Sequence, residues 1–295
     1  MKSPLLIQLV SIYLMIGHVA NAQSIPVFFG EGFSAIHHNP ATYGQRYQFE
    51  ANSNLLIQYP AILSTDHVST LINAAYRKDF EKNSRLSVGT GLAHYWEQFS
   101  VLRNHIIQLP VNLQLHFEKI NFSAGIAVGT NYLAVPNYWF PVDTLDPRPA
   151  DGNKKTAFYN SAGLSVWNKR FYAGLAVTNL IKPNFYGIYL SSYRTFSAQA
   201  GYQIPIGKFF IYPMADFYFQ DGFTMANAKV YFQLPKEIWS FGAGYTFRSG
   251  LMAGLRVKCK NAAISYHFMK SSVVDMDMWF HDVRISFLLK EIVKK

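Results

Sequence analysis

Residues Trp239–Phe247 read WSFGAGYTF. Trp239, Phe241, Ala243, Tyr245 and Phe247 take every second place, with Ser240, Gly242, Gly244 and Thr246 between them. In a strand, alternate residues point to opposite faces. This ribbon therefore has one aromatic side and one side of glycine and hydroxyls. A sheet on a soluble core also alternates, but its outer face is rich in Lys, Glu and Thr rather than glycine. Rings facing hydrocarbon, with small polar residues facing a lumen, are what a membrane-spanning barrel requires.

The same rhythm recurs along the chain. Phe122, Ala124, Ile126 and Val128 alternate with Ser123, Gly125, Ala127 and Gly129. Phe171, Ala173, Leu175 and Val177 repeat the pattern, as do Leu251–Val257, Ala262–Phe268 and Val283–Leu289. Counting such segments predicts about fourteen strands, most of them long enough to cross a bilayer when tilted. They lie near 46–58, 66–78, 84–96, 102–117, 120–133, 155–167, 170–178, 190–203, 208–219, 225–233, 237–247, 250–258, 261–269 and 280–290. Pro110 and Pro213 each remove a ladder donor, so bulges or breaks are expected there.

The connections follow a second rhythm. With the N-terminus in the periplasm, the joints DFEKNS, EKI, NK, IPIGK, LPKE and KN face inward, and all are short. Several opposite connections are longer, above all 134–154, as in outer-membrane barrels. The expected fold is all-β: one transmembrane antiparallel barrel of about fourteen strands with an N-terminal plug-like segment.

Composition agrees. Of 295 residues, 50% are hydrophobic, 15% charged and 16% aromatic, with 24 Phe and 19 Tyr. Lys2, the apolar run from Leu5 to Ile16 and Ala20-Asn21-Ala22 read as a cleaved export signal over 1–22. The expected organisation is then an extended plug segment over 23–45, a barrel over 46–290 and a basic tail over 291–295. The lone Cys259 excludes an intramolecular disulfide. The formal charge of +10 would suit nucleic acid in a cytosolic chain. For an exported one it points to anionic lipid or an acidic protein face.

Catalytic signals are poor. No nucleophile elbow, zinc-protease helix or phosphate-binding glycine loop is present. Ser165, His94 and His267 are scattered along the chain, and His37-His38 and the Asp275/Asp277 pair are weak metal signals. The chain reads as non-enzymatic, with no catalytic residue, metal ligand or cofactor assigned.

Two surfaces stand out. Lys82, Lys119, Lys169, Arg170, Lys208, Lys236 and Lys260 fall at or beside the inward turns. They are either ordinary solvated turn residues or a basic face for an acidic periplasmic partner. Tyr138, Trp139 and Phe140 cluster in the longest outward loop. They read either as an external contact surface or as rings dipping into the lipid interface.

Several stretches resemble the PorP/SprF family of type IX secretion system membrane proteins. Asn39-Pro40-Ala41-Thr42-Tyr43-Gly44 is similar to its N-P-A-Y-x-G element, with Thr42 where Tyr is usual. AGLSVWNKRFYAGLAVTNLIKPN (162–184), AISYHF (263–268) and HDVRISFLL (281–289) resemble its middle hairpin and closing strands, although the acidic residue usual at His267 is missing. The resemblance makes Asn39, Pro40, Ala41 and Gly44 the family's N-terminal motif. It implies an outer-membrane barrel among outer-membrane lipids, working with periplasmic components of the secretion machinery or one large secreted surface adhesin. Its role would be to assist export or surface anchoring of cargo, including gliding adhesins. N-P-A also occurs in long-chain fatty-acid transporters, so a transporter of hydrophobic small molecules is the alternative. That alternative predicts a continuous apolar pocket and a lateral opening near Pro110 or Pro213.

Overall fold

The structure, a computed structural model, describes residues 39–60, 67–80, 85–99, 102–134, 154–181, 194–220, 223–235, 238–246, 250–271 and 278–291. The expected export signal, residues 23–38, His37-His38, Asp275/Asp277 and the tail beyond 291 lie outside them.

Among the described residues there are fifteen strands. These are β1 Tyr47–Pro60, β2 His67–Asp79, β3 Leu86–Phe99, β4 Leu102–His116, β5 Asn121–Ala134, β6 Lys154–Trp167, β7 Phe171–Thr178 and β8 Thr195–Tyr202. There follow β9 Ile204–Ile206, β10 Phe209–Gln220, β11 Phe223–Gln233, β12 Trp239–Thr246, β13 Gly250–Cys259, β14 Ala262–Ser271 and β15 Met278–Glu291. Sequence neighbours pair antiparallel except β8 and β9, which both pair with β10, and β1 pairs with β15, closing the sheet on itself. β9 bonds only to β10, so fourteen strands make the closed wall and β9 is extra.

That extra strand has a local cause. β8 and β9 face β10 in one continuous register, Gly201 opposite Met214 and Ile206 opposite Phe209. They are one barrel strand interrupted at Gln203, where the facing stretch of β10 holds Pro213. Proline offers no amide hydrogen to that ladder. At Pro110 the β3–β4 pairing lapses between Thr90 and Ala93, then resumes in unchanged register. On its other side Pro110 stays paired with Ala127. Both prolines therefore break a ladder, and neither shifts its register.

The wall is inside out relative to a soluble protein. Ile126 and Leu164 are 61% and 58% exposed, and Ile72, Leu109, Leu175, Phe217, Ile264 and Ile285 share that outer surface. Asn52, Asn73, Gln108, Asn112, Gln114, Ser165, Asn227, Lys229 and Arg284 are buried on the inner face. An apolar exterior of this size is stable in hydrocarbon, where closure leaves no strand edge unsatisfied. Among the described residues no helix is long and apolar enough to cross a membrane. Spanning falls to the strands.

The lumen is not uniform. Toward the ends of the strands that carry the longer connections, Leu56, Leu71, Tyr95, Ile106, Tyr159, Met252 and Met269 form one apolar cluster. Toward the short-turn end a polar and charged network joins a small apolar cluster of Tyr47, Ala263 and Leu288. There Arg284 donates to Glu50 Oε1 at 3.1 Å and Asn52 Oδ1 at 2.8 Å, and Asn52 donates to Asn73 Oδ1 at 3.0 Å. Small and polar residues such as Ser69, Asn131, Thr195 and Thr246 are buried in the outer half as well, so the sequence reading of a mainly small and polar lumen leaves out the apolar cluster.

Candidate functional site

Asn39–Gln45 lies inside the wall, against the inner faces of β3–β7. Pro40–Thr42 forms one short 3₁₀ turn. Asn39 caps it, its Oδ1 accepting from the Ala41 amide at 3.0 Å. Thr42, the departure from the resembled pattern, is buried and donates its hydroxyl to the Asn39 carbonyl at 2.8 Å. Gly44 has φ +70°, and a Cβ there would sit 2.9 Å from Cβ of Arg77. Both facts call for glycine.

Neutral amides hold the segment. Asn112 Nδ2 donates to the Pro40 carbonyl at 3.0 Å and the Tyr43 carbonyl at 2.9 Å. Gln114 Nε2 adds a bond to the Tyr43 carbonyl at 2.8 Å. Asn39 Nδ2 donates to the Leu164 carbonyl at 3.1 Å. Gln45 Nε2 reaches the Ala41 carbonyl at 2.7 Å and also bonds Ser165 Oγ. These bonds satisfy an irregular backbone that would otherwise be buried without partners. The Tyr43 ring then joins the apolar cluster above.

Glycines in the wall make the room. A Cβ on Gly163 would lie 2.0 Å from Asn39 Oδ1, and one on Gly89 would lie 2.1 Å from the Tyr43 carbonyl oxygen. Gly91 faces the Tyr43 ring, Gly125 faces Pro40 and Ala41, and Gly174 faces Asn39 Nδ2. Five glycines on four strands thus shape one trough for the motif.

The glycines of the opening ribbon serve a different wall. The Tyr231 ring lies on Gly242, and the His267 ring lies on Gly254 on the next strand. The two rings meet edge to face with centroids 6.1 Å apart. One inward-facing position further toward the outward end of β11, Lys229 pairs with Asp216, both buried.

The sequence-predicted residues sort as follows. Asn39, Pro40, Ala41 and Gly44 are brought together with Asn112, Gln114 and Ser165, which sequence reading did not assign to a site. Their signal was inward parity on β4 and β6. Lys119, Lys169, Arg170, Lys208 and Lys260 are exposed in short turns at one end of the barrel, beside Tyr47, where β1 begins. Lys82 and Lys236, and the loop residues Tyr138, Trp139 and Phe140, lie outside the described residues. Ser165, His94 and His267 stay apart. Ser165 holds the motif, His94 faces outward beside His105, and His267 lies on the other wall. Among the described residues no group of three His, Cys, Asp or Glu side chains could hold a metal ion.

Residues 20–287 match the family described as type IX secretion system membrane protein PorP/SprF. The chain belongs to that family. Its barrel is accordingly an outer-membrane barrel, and the short-turn end is the periplasmic end. No curated protein sequence matches this PorP/SprF chain. In shape it is similar to the Ralstonia pickettii toluene transporter TbuX, with a TM-score of 0.55 and 11% identity over 88% of this chain and 93% of that one. It is also similar to the monoaromatic hydrocarbon channel CymD, with a TM-score of 0.50 and 12% identity over 90% and 94% of the two chains. The Pseudomonas putida toluene transporter TodX gives 0.50 and 9% over 86% and 92%. At such identity the likeness extends to fold alone.

Proposed function

We propose that this PorP/SprF barrel is a non-enzymatic accessory of type IX secretion that assists the export or surface anchoring of a protein cargo. Its working surface is the periplasmic end. There the exposed cations Lys119, Lys169, Arg170, Lys208 and Lys260 surround the mouth, and the partner is an acidic face of a periplasmic component or of the cargo. The observation that carries this reading is the filling of the periplasmic half of the lumen. The docked motif and the Glu50–Arg284–Asn52 network occupy space that a wide channel would leave open. A rigid, filled barrel is suited to presenting its turns to another protein.

The test is affinity purification from native outer membranes followed by mass spectrometry. The wild type should co-purify secretion components or one very large surface protein. Lys169→Glu/Lys208→Glu/Lys260→Glu should lose them while keeping the barrel folded. Unchanged recovery would remove the basic face from the proposal.

A second reading is favoured by one observation. The apolar cluster of Leu56, Leu71, Ile106, Met252 and Met269 lines part of the outer half of the lumen, and the structurally similar TbuX and TodX are toluene transporters. In that reading the motif is a movable stopper beneath a hydrophobic solute site. Uptake of a monoaromatic hydrocarbon into proteoliposomes, above that of the same vesicles without the barrel, would favour it over the secretion role.

A further inference from the structure

On the outer face of β3–β6, near the ends that carry the outward loops, three rows lie in register. The row farthest out is Gln98, Arg103, Ala134 and Lys154. Below it run Trp96, His105, Tyr132 and Thr156. Below those run His94, Ile107, Thr130 and Phe158, which open onto the lipid-facing band of Leu109, Val128 and Leu164. From the loops toward the membrane centre the surface changes from cationic to aromatic to aliphatic.

The middle row is packed. His105 stacks on His94 with centroids 5.5 Å apart and meets Tyr132 at 6.0 Å and Trp96 at 6.4 Å. The His94 and His105 ring nitrogens share a hydrogen bond of 3.2 Å. Such a girdle marks the boundary between hydrocarbon and headgroups. The top row is therefore at headgroup depth.

Arg103 and Lys154 are both exposed there, on strands flanking β5, about 10 Å apart along the sheet. Between them stands only the small side chain of Ala134. No residue of these three rows is acidic. Glu97 has the opposite parity and points inward. On the far side of the barrel, by contrast, the comparable cation Lys270 is engaged by the Trp279 ring, 5.1 Å from its centroid.

We propose that Arg103 and Lys154 form a clamp for a phosphate of the phosphorylated glycolipid of the outer leaflet, lipid A, with Trp96, His105 and Tyr132 supporting its sugar and acyl roots. Arg supplies a planar fork of donors for phosphate oxygens and Lys a second point charge. Their stems lie along the apolar wall and bring the charges up to headgroup level. The inference rests on the outer-membrane placement and not on the secretion role, so either can fail without the other.

Native mass spectrometry of the full barrel in detergent tests it, with bisphosphorylated lipid A, dephosphorylated lipid A and phosphatidylglycerol as probes. The wild type should retain bisphosphorylated lipid A in preference to the other two. Arg103→Gln/Lys154→Gln should weaken that binding about tenfold or more, as expected for losing charged hydrogen bonds. Lys169→Gln/Arg170→Gln, the same charge change at the periplasmic end, should leave it intact. Heat-modifiable migration on gels checks that each variant is folded. Equal binding by the Arg103/Lys154 variant, equal weakening by both variants, or equal retention of phosphatidylglycerol would each overturn the clamp.

Discussion

Two walls of the same lumen use glycine for opposite ends. On β3–β7 the glycines accommodate a separate stretch of chain, the 39–45 motif, bound through its backbone by Asn112 and Gln114. On β12 and β13, Gly242 and Gly254 accommodate the wall's own rings, Tyr231 and His267. Both troughs are filled, yet only the first is filled by something whose departure would leave the strands paired. The alternation of WSFGAGYTF specifies a face without large side chains; it does not specify what lies against that face.

The largest effect is expected at the buried Glu50–Arg284 pair, which belongs to neither trough. Arg284→Met strands the buried Glu50 carboxylate and should destabilise the barrel by about 3–5 kcal/mol. Thermal unfolding in detergent would register it, and Glu50→Gln/Arg284→Met should recover much of the loss. A smaller effect separates the walls. Gly163→Ala should cost about 1–3 kcal/mol by overpacking against the Asn39 side chain. It should also expose the 39–45 segment to added protease while the barrel keeps its heat-modifiable migration. Gly242→Ala meets a ring of the wall itself, so it should lower thermal stability without exposing that segment. Asn112→Ala, the mildest, removes two donors from carbonyls at the motif and should cost about 1–3 kcal/mol. Protease sensitivity limited to the motif is the expected readout, and sensitivity spread over the whole barrel would mean the motif is part of the wall's own stability.

Much of this was legible before any coordinates. Strand limits differ from the period-two reading by at most a few residues at most ends, because apolar outside and polar inside is imposed on every strand by hydrocarbon. The segment read as 190–203 is a strand from Thr195, with 190–193 outside the described residues, and it breaks at Gln203. Pro213 announced a break, but its partner is known only once the register places it against that strand. The motif residues were also readable as a set. A plug-like place for them was expected, but their partners were not, since Asn39 meets Leu164 across 125 positions of sequence. Asn112 and Ser165 looked like any inward polar residue, and nothing local marks one that bonds the motif from one that bonds its own neighbours.

The seam between β1 and β15 has an implication for biogenesis. The strand that follows the motif zips to the strand that comes last, so the cylinder cannot be completed until the final hairpin has been delivered. The motif, separated from β1 by Arg46 alone, must already lie on the concave side when that happens, or thread in afterwards through a mouth only partly open. An assembly factor that retains the unsealed seam would thus also decide when the interior is furnished.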